Sequence, residues 1–233
     1  MNLKTVGLAP LLLTQAVWVM TRASRLPEAA GERHGTLGDG PPSRLLILGD
    51  SSAAGVGVRH QGEALAGQLT RALAKDFCLT WDVVAKSGAT VQSTQGDLDA
   101  MTATKTDLVL VALGVNDTKN GVSATRWQRG YERLLSTIAE TFQPSCICVC
   151  GVPPLGVFPR LPAPLNEVLG ARARRFDAIL KDIVHARSDT QYLSMDFPLD
   201  PENMASDGFH PSAKLYRDWA LRAALAFSAG KDA

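Results

Sequence analysis

Five short apolar runs recur along the chain, and their alternation with helical segments limits the fold more strongly than any other feature of the sequence. Each run has the length of a buried strand, and the runs cover residues 45–48, 78–85, 107–113, 146–152 and 191–196. In the segments between them, apolar residues recur at helical spacing. Strands that alternate with helices form right-handed crossovers, which give a parallel sheet with helices on both faces. The sequence therefore predicts a three-layer α/β/α fold around five parallel strands.

The composition of the chain is that of a globular domain. Of its 233 residues, 45% are hydrophobic and 20% are charged, which provides enough apolar material for one large core. The formal net charge is +1, and lysine and arginine form no dense cluster along the sequence. These values argue against an extended nucleic-acid surface, so we expect no nucleic-acid partner.

The N-terminal segment, residues 1–25, differs from the rest of the chain. Its apolar stretch covers residues 6–20, which is shorter than the roughly 20 residues of a membrane-spanning helix and closer to the core of a signal peptide. Arg22 and Arg25 follow the stretch, and the positive-inside rule disfavours their transfer across a membrane. We expect peripheral membrane association through residues 6–20, with the domain in the cytoplasm. The alternatives are a signal peptide that exports the domain to the periplasm, and a helix folded onto the domain.

Glycine and proline occur throughout residues 26–43, and this stretch is predicted to be a linker. Residues 44–233 then form the folded domain. Because all five predicted strands follow the linker, we expect residues 1–40 to be dispensable for folding and activity.

Cys146, Cys148 and Cys150 alternate along the fourth run, so their side chains are predicted to point to one face of the sheet. A soft-metal site would need a fourth ligand nearby, and none is evident. We expect buried, unpaired thiols that act as small apolar core residues and fit a reducing compartment.

The first strand run ends in Gly49-Asp50-Ser51, and small residues follow as far as Gly57. Open α/β sheets bind their ligands at the carboxyl ends of their strands, where this serine would lie. The stretch alone is equally consistent with a glycine- and serine-rich turn that opens a helix. A catalytic serine would also need a base, an acid that orients the base, and donors for an oxyanion.

Two Asp-x-x-His sequences are candidates for the acid and the base. The chain has four histidines, at positions 34, 60, 185 and 210. Asp182 and His185 lie inside a predicted helix, where such a pair is typical of a solvated face. Asp207 and His210 lie in a loop, and Pro211 suits the first position of the last helix, at whose entrance His210 would be held. The loop context favours His210 as the base and Asp207 as its orienting acid.

Three groups are candidate oxyanion donors. They are the Ser51 backbone N–H, the Gly88 backbone N–H at the end of the second strand, and the Asn116 side-chain amide after the third strand. If the strand order is 2-1-3-4-5, these groups lie in a row across the point where the strand order reverses.

Four segments resemble, in order and spacing, the sequence blocks of the SGNH hydrolase superfamily, the GDSL-type esterases and lipases. They are Gly49-Asp50-Ser51, Gly88, Gly114-x-Asn116-Asp117 and Asp207-x-x-His210-Pro211. The resemblance covers about residues 45–227. Ser52 departs from the family pattern, which has leucine there, but that position is not catalytic in the family.

The resemblance implies a flavodoxin-like fold with strand order 2-1-3-4-5 and an ester hydrolase that uses neither a metal nor another cofactor. It also implies the residue roles: Ser51 as nucleophile, His210 as base, Asp207 as orienting acid, and Ser51, Gly88 and Asn116 as oxyanion hole. Asp50 and Asp117 match the family pattern too, and we expect both to support loop geometry.

The loop at residues 153–164 contains five prolines and follows the fourth strand on the same edge of the sheet. Leu155, Val157 and Phe158 are expected to line an acyl pocket; the alternative is that they pack beneath the loop. The expected substrates are carboxylic esters, with lysophospholipids and thioesters included.

Four other functions are alternatives. An acyltransferase would use the same residues, and a non-catalytic, membrane-associated relative would bind without turnover. A dinucleotide site would use Gly55 and Gly57, but His60 occupies the third glycine position and Lys86 replaces the ribose-binding acid. A metallophosphoesterase would usually need more histidines than His210 and a loosely placed His60.

Overall fold

The computed structural model describes residues 7–22 and 25–229. In this part of the chain the helices are α1 (Ala9–Arg22), α2 (Leu65–Leu73), α3 (Val91–Asp99), α4 (Val115–Lys119), α5 (Ala124–Phe142), α6 (Leu165–His185) and α7 (Ala213–Ala229). The strands are β1 (His34–Leu37), β2 (Pro42–Gly49), β3 (Cys78–Ala85), β4 (Leu108–Ala112), β5 (Cys146–Cys150) and β6 (Thr190–Leu193). A short 3₁₀ turn, Leu155–Val157, precedes α6.

The five predicted strands are β2 to β6, and the pairings among these five are all parallel. They lie in the order β3-β2-β4-β5-β6, which confirms the predicted order 2-1-3-4-5. At the centre of the sheet, Leu48 lies opposite Val84 on one side and Val111 on the other. Residues 45–48 are almost completely buried, as expected of a strand covered on both faces. The three-layer α/β/α prediction is confirmed.

One strand of the structure is not predicted from the sequence. β1 pairs antiparallel with the outer edge of β3, and Gly35 lies opposite Trp81. The sheet therefore has six strands instead of five, and it is mixed instead of fully parallel. β1 lies within the stretch expected to be a linker, and its four residues, His-Gly-Thr-Leu, lack the alternation of apolar and polar residues that marks a strand. A further parallel bridge joins Ala30 to His60.

Side chains on opposite faces of the central strands belong to two separate cores. Leu46 and Leu48 pack on the face covered by α5 and α6, together with Trp127 and Phe176. On the other face, β5 contributes its three cysteines to a core that includes Tyr216 and Trp219 of α7. The cysteines are buried and unpaired, which confirms their prediction as core residues.

α1 contacts the start of α6 through Gln15. The Gln15 side-chain amide donates to the Ala163 carbonyl at 2.7 Å, and its oxygen accepts from the Leu165 N–H at 3.2 Å. The large apolar side chains of α1 that stay exposed are Leu11, Leu13, Val17 and Trp18. Across residues 7–22 and 25–229, no helix combines the length and the apolar character needed to cross a membrane.

Candidate active site

β2 brings Ser51 to the carboxyl edge of the sheet, and glycine at position 49 allows the turn that follows to pack tightly. A Cβ atom at Gly49 would lie 2.8 Å from the Ala112 carbonyl oxygen on β4. The chain then coils into helical turns, in which the Ala54 N–H donates to the Asp50 carbonyl and the Val56 N–H donates to the Ser51 carbonyl. Ser51 is therefore held on a turn that packs against the neighbouring strand, β4.

The structure brings Ser51, His210 and Asp207 into one hydrogen-bonded series. His210 Nε2 lies 2.9 Å from Ser51 Oγ, and His210 Nδ1 lies 2.6 Å from Asp207 Oδ2. The second carboxylate oxygen, Asp207 Oδ1, accepts the backbone N–H groups of Phe209 at 2.9 Å and His210 at 3.0 Å. The acid is buried, whereas 24% of the His210 side chain is exposed. The imidazole is thus fixed on one side and open to a substrate on the other.

Hydrogen bonds set the charge state of Asp207. Its burial raises the pKa, but the hydrogen bonds from the His210 ring and from two backbone N–H groups outweigh that effect. The pKa of Asp207 is therefore lowered from its ordinary value, and the carboxylate is charged at neutral pH.

Contacts from the last loop and the last helix hold the serine turn in place. Gly57 has a φ of +113°, and a side chain there would collide with the Pro211 carbonyl. On α7, the Tyr216 hydroxyl lies within hydrogen-bond distance of the carbonyl oxygens of Ser52 at 2.9 Å and Val56 at 2.7 Å. Tyr216 is not predicted from the sequence, because it lies 164 residues after Ser52 and has no motif around it.

The predicted oxyanion donors come from neighbouring loops. Asn116 lies in α4, and its amide donates to the Ala89 carbonyl at 2.9 Å, directly beside Gly88. The same amide is 3.5 Å from Asp50 Oδ2, next to Ser51. Gly88 has a φ of +84°, and among the described residues no atom beyond its chain neighbours lies within 4 Å of the position of a Cβ. The turn at Gly88 therefore faces open space.

Asp50 and Asp117 are both buried beneath these loops. Asp50 Oδ1 accepts the Ser52 N–H at 3.0 Å, and Asp117 Oδ2 accepts the Val91 N–H at the start of α3 at 3.2 Å. Burial raises the pKa of Asp50, and it raises the pKa of Asp117 to about 6. The Asp50 carboxyl group thus supports its own turn, whereas the Asp117 carboxyl group joins α4 to the start of α3.

The three residues expected to line an acyl pocket do not share one environment. Leu155 and Phe158 are buried in the core beneath α6, at 2% and 9% exposure, whereas Val157 is 65% exposed. The Phe158 ring lies 6.5 Å from the Phe209 ring in the histidine loop. Leu155 and Phe158 are therefore core residues in this structure, as the inward-packing alternative requires.

A cavity of about 60 Å³ lies beside Asp207 and is lined by other residues. Trp18, Val19 and Arg22 of α1 form one part of its wall, and the other part comes from Arg160, Ser206, Asp207 and Phe209. Apart from Asp207, none of these residues is predicted from the sequence to belong to the site, because no local pattern connects α1 with the histidine loop. Across the described parts of the chain, no three His, Cys, Asp or Glu side chains are grouped in a way that would hold a metal ion.

A hydrogen-bonded series from a buried acid through an imidazole to a hydroxyl serves to activate serine for acyl transfer. Together with a doubly wound sheet, it defines the class of α/β/α serine hydrolases. Comparison with known families is more specific. A sequence model of the GDSL-like Lipase/Acylhydrolase family matches residues 47–217, and the chain belongs to that family. It is a carboxylic ester hydrolase.

No curated protein sequence matches the chain. Solved structures do: the family 3 carbohydrate esterase of Clostridium thermocellum has a TM-score of 0.65 at 16% identity, over 82% of this chain and 98% of that one. TesA has a TM-score of 0.64 at 20% identity, over 81% and 99%. The esterase EstA from Pseudoalteromonas sp., inhibited by monoethylphosphonate, has a TM-score of 0.59 at 19% identity, over 82% and 100%. At these identities the likeness is one of fold.

Proposed function

We propose that the protein hydrolyses carboxylic esters through an acyl-enzyme on Ser51, with His210 as general base and Asp207 as its orienting acid. The observation that carries the proposal is the series of contacts at 2.6 Å and 2.9 Å that joins the three side chains. A buried carboxylate that accepts Nδ1–H fixes the tautomer in which Nε2 is free to take a proton from the serine.

In the first step His210 Nε2 removes the Ser51 hydroxyl proton while Oγ attacks the carbonyl carbon of the ester. The tetrahedral intermediate collapses, and the alcohol leaves with the proton held on Nε2. Water then repeats the sequence on the acyl-enzyme: His210 takes its proton, and Ser51 recovers that proton as the acid leaves. Asp207 stabilises the imidazolium in both halves of the cycle.

The oxyanion of each tetrahedral intermediate is proposed to be bound by the N–H groups of Ser51 and Gly88 and by the Asn116 side chain. An amide NH₂ has two hydrogens, and the Ala89 carbonyl accepts one of them. The contact with Asp50 is long, at 3.5 Å, so the second hydrogen is available to a substrate. Loss of one such donor is expected to lower turnover by roughly 10²–10³-fold.

The cavity beside Asp207 supports a substrate class. Trp18, Val19 and Phe209 offer apolar surface, while Arg22 and Arg160 offer positive charge. Apolar and cationic side chains together suit an ester that carries an anionic group beside its acyl chain. We propose lysophospholipids and thioesters among the substrates, in addition to simple carboxylic esters.

We also propose that residues 6–20 associate peripherally with a membrane from the cytoplasmic side. The side chains of Leu13, Val17 and Trp18 are exposed, α1 contains no acidic residue, and Arg22 and Arg25 follow the apolar stretch. Exposed apolar side chains next to arginine fit the surface of an anionic bilayer. Flotation with vesicles containing phosphatidylserine tests this proposal, with Trp18→Ala and Val17→Ser expected to weaken binding.

Covalent labelling tests the mechanism. A fluorophosphonate should modify wild-type protein once, on the peptide that contains Ser51, and should not modify Ser51→Ala. The matched control is the adjacent Ser52→Ala, which should keep both labelling and ester hydrolysis. Hydrolysis of p-nitrophenyl acetate at a normal rate by a folded Ser51→Ala variant would exclude the acyl-enzyme. With added alcohols, the ratio of transferred to hydrolysed acyl group separates a hydrolase from an acyltransferase.

A further inference from the structure

The turn that carries Gly88 is bound by Glu28, a residue outside the segment that the family model matches. Glu28 Oε1 accepts the backbone N–H of Ser87, the residue immediately before Gly88, at 2.6 Å. Glu28 lies 59 residues earlier in the sequence and precedes residues 47–217, which the family model matches. The contact belongs to the stretch expected to be a linker.

Arg33 fixes Glu28 in turn. Its guanidinium donates to Glu28 Oε2 at 2.6 Å and to the Ala85 carbonyl at 2.8 Å, at the last residue of β3. The Arg33 carbonyl accepts the Val83 N–H at 2.7 Å, so both the backbone and the side chain of Arg33 are attached to β3. About a third of each charged side chain is exposed. Glu28 is therefore joined to the same strand whose end it supports.

The Glu28 side chain is a charged carboxylate at this position. Partial burial raises its pKa, but the hydrogen bonds from Arg33 and Ser87 outweigh that effect, and the pKa is lowered from its ordinary value. A charged acceptor makes a shorter and stronger hydrogen bond to a backbone N–H than a neutral one.

The geometry of the turn explains why support matters. The Ala89 N–H donates to the Lys86 carbonyl at 3.1 Å, and Gly88, the third residue of the turn, has a φ of +84°. That value is required at the third position of a type II turn. Types I and II differ by a flip of the central peptide, here Ser87–Gly88, so the Gly88 N–H would point in opposite directions in the two types. Glycine adopts both, and its own residue type therefore does not select one.

Contacts from two sides anchor the peptides that flank the Ser87–Gly88 peptide. The Asn116 amide binds the Ala89 carbonyl after the glycine, and Glu28 binds the Ser87 N–H before it. Around Gly88 itself the described residues leave open space. The turn around Gly88 is thus anchored on both flanks, by Glu28 before the glycine and by Asn116 after it.

We propose that Glu28, fixed by Arg33, is a positioning residue of the oxyanion hole: it orients the Gly88 N–H towards the oxyanion that forms on Ser51. The proposal rests on the function proposed above, because Gly88 needs a fixed direction only where a tetrahedral oxyanion must be bound. Glu28 contacts no reacting atom. Its loss should weaken binding of the transition state and leave binding of the substrate ground state unchanged.

The test compares Glu28→Ala and Glu28→Gln with Asp82→Asn. Asp82, on β3, is likewise an acid with a partly exposed arginine partner: it pairs with Arg44 at 3.2 Å and lies six residues before Gly88. For Glu28→Ala we expect kcat on p-nitrophenyl acetate to fall about 10- to 100-fold, which does not exceed the loss expected when a whole oxyanion donor is removed. KM should stay within about twofold of the wild-type value. Glu28→Gln retains an oxygen acceptor and should restore most of the activity, and Asp82→Asn should resemble the wild type.

Active-site titration separates positioning from a general structural role. The rate is divided by the number of Ser51 sites that a fluorophosphonate labels at completion. A structural role alone would lower the melting temperature and the number of labelled sites while kcat per labelled site stayed normal, and that outcome would overturn the proposal. The affinity for a trifluoromethyl ketone, which forms a tetrahedral adduct, should fall by the same factor as kcat.

A second variant covers the case in which Glu28→Ala does not fold. Ser87→Pro removes the N–H that Glu28 binds, and proline is favoured at the second position of a type II turn. In that background, Glu28→Gln should change kcat by less than about twofold, and a further large loss would show that Glu28 acts elsewhere. If wild-type protein is not labelled on Ser51, the proposed function fails. If labelling is normal and kcat per site is unchanged in the Glu28 variants, only the positioning role fails.

Discussion

The protein contains two Asp-x-x-His sequences, and their environments differ completely. Asp207 and His210 lie in a loop, with the carboxylate buried and the two side chains 2.6 Å apart. Asp182 and His185 lie at the end of α6, and both are exposed to solvent. The spacing is identical, so spacing alone does not distinguish the proposed catalytic pair from an exposed pair.

The difference comes from the backbone. In the loop, the N–H groups of Phe209 and His210 have no helical partner, and both donate to Asp207 Oδ1. Inside a helix each N–H is used by the carbonyl four residues earlier, so a carboxylate at position 182 receives no such donors. The pair in the loop thus has a fixed acid, whereas exposed pairs on helices contribute only a few tenths of a kcal/mol.

Removal of the two imidazoles should give the largest contrast. His210→Ala is expected to lower kcat/KM for p-nitrophenyl esters by roughly 10³–10⁶-fold, because the base of both half-reactions is lost. His185→Ala should stay within about twofold of the wild type. Circular dichroism melting confirms that both variants fold. Similar losses in the two variants would show that loop context is not the deciding feature.

A smaller contrast is expected for the acids. Asp207→Asn should lower kcat by roughly 10²–10⁴-fold, since the neutral amide no longer fixes the Nδ1–H tautomer or stabilises the imidazolium. Asp182→Asn should have no measurable effect on kcat. Steady-state kinetics with the same ester series measures both, and an active Asp207→Asn variant would remove the acid from the mechanism.

The support of the loop can be tested at Phe158. Its ring packs in the core and against Phe209, so Phe158→Ala should lower the free energy of unfolding by about 3 kcal/mol and slow all esters alike. Val157→Ala, on the exposed neighbour, should cost less than about 0.5 kcal/mol. Urea unfolding and kcat/KM across acyl lengths are the measurements. A changed preference for acyl length with unchanged stability would favour the acyl-pocket role instead.

The smallest effect concerns stability at low pH. The pKa of Asp207 is lowered in the folded state from an unfolded value of about 3.9. Between these two pKa values, the folded protein therefore binds fewer protons at Asp207 than the unfolded chain does. The stabilisation by the charged Asp207 carboxylate is complete above about pH 4. This stabilisation is lost as the pH falls through the lowered pKa of Asp207 in the folded protein. Urea unfolding between pH 7 and pH 3 should show the stability gap between wild type and Asp207→Asn narrowing with acid; Asp182→Asn controls for the loss of one charge. A gap that widened below pH 4 would contradict this assignment.

The sequence was informative where function depends on local pattern. Buried strands were recognisable as apolar runs, and loop context separated His210 from His185. The last helix, however, begins at Ala213 and not at Pro211 as predicted. Contacts between remote segments had no such signal. Glu28 reaches Ser87, Tyr216 reaches Ser52, and Trp18 lies beside Phe209, yet none of these residues belongs to a recognisable motif.

Apolar residues in a loop were ambiguous for another reason. Leu155 and Phe158 have the same chemistry whether they line a pocket or pack inward, so only their burial separates the two interpretations. The strand β1 also lacks a signal of its own, because four mostly polar residues are too few to show a strand pattern. They form a strand because they pair with β3.

The short strand β1 also has a consequence for solubility. A sheet edge exposes a row of unpaired N–H and C=O groups, to which a strand from another molecule can add. Here the long, partly apolar β3 is covered by β1, and only four residues, most of them exposed, form the outer edge. A chain that began at residue 41 would present Leu79 and Trp81 of β3 on an open edge. The cost of such a truncation would therefore be self-association through the sheet, before any effect on the chemistry at Ser51.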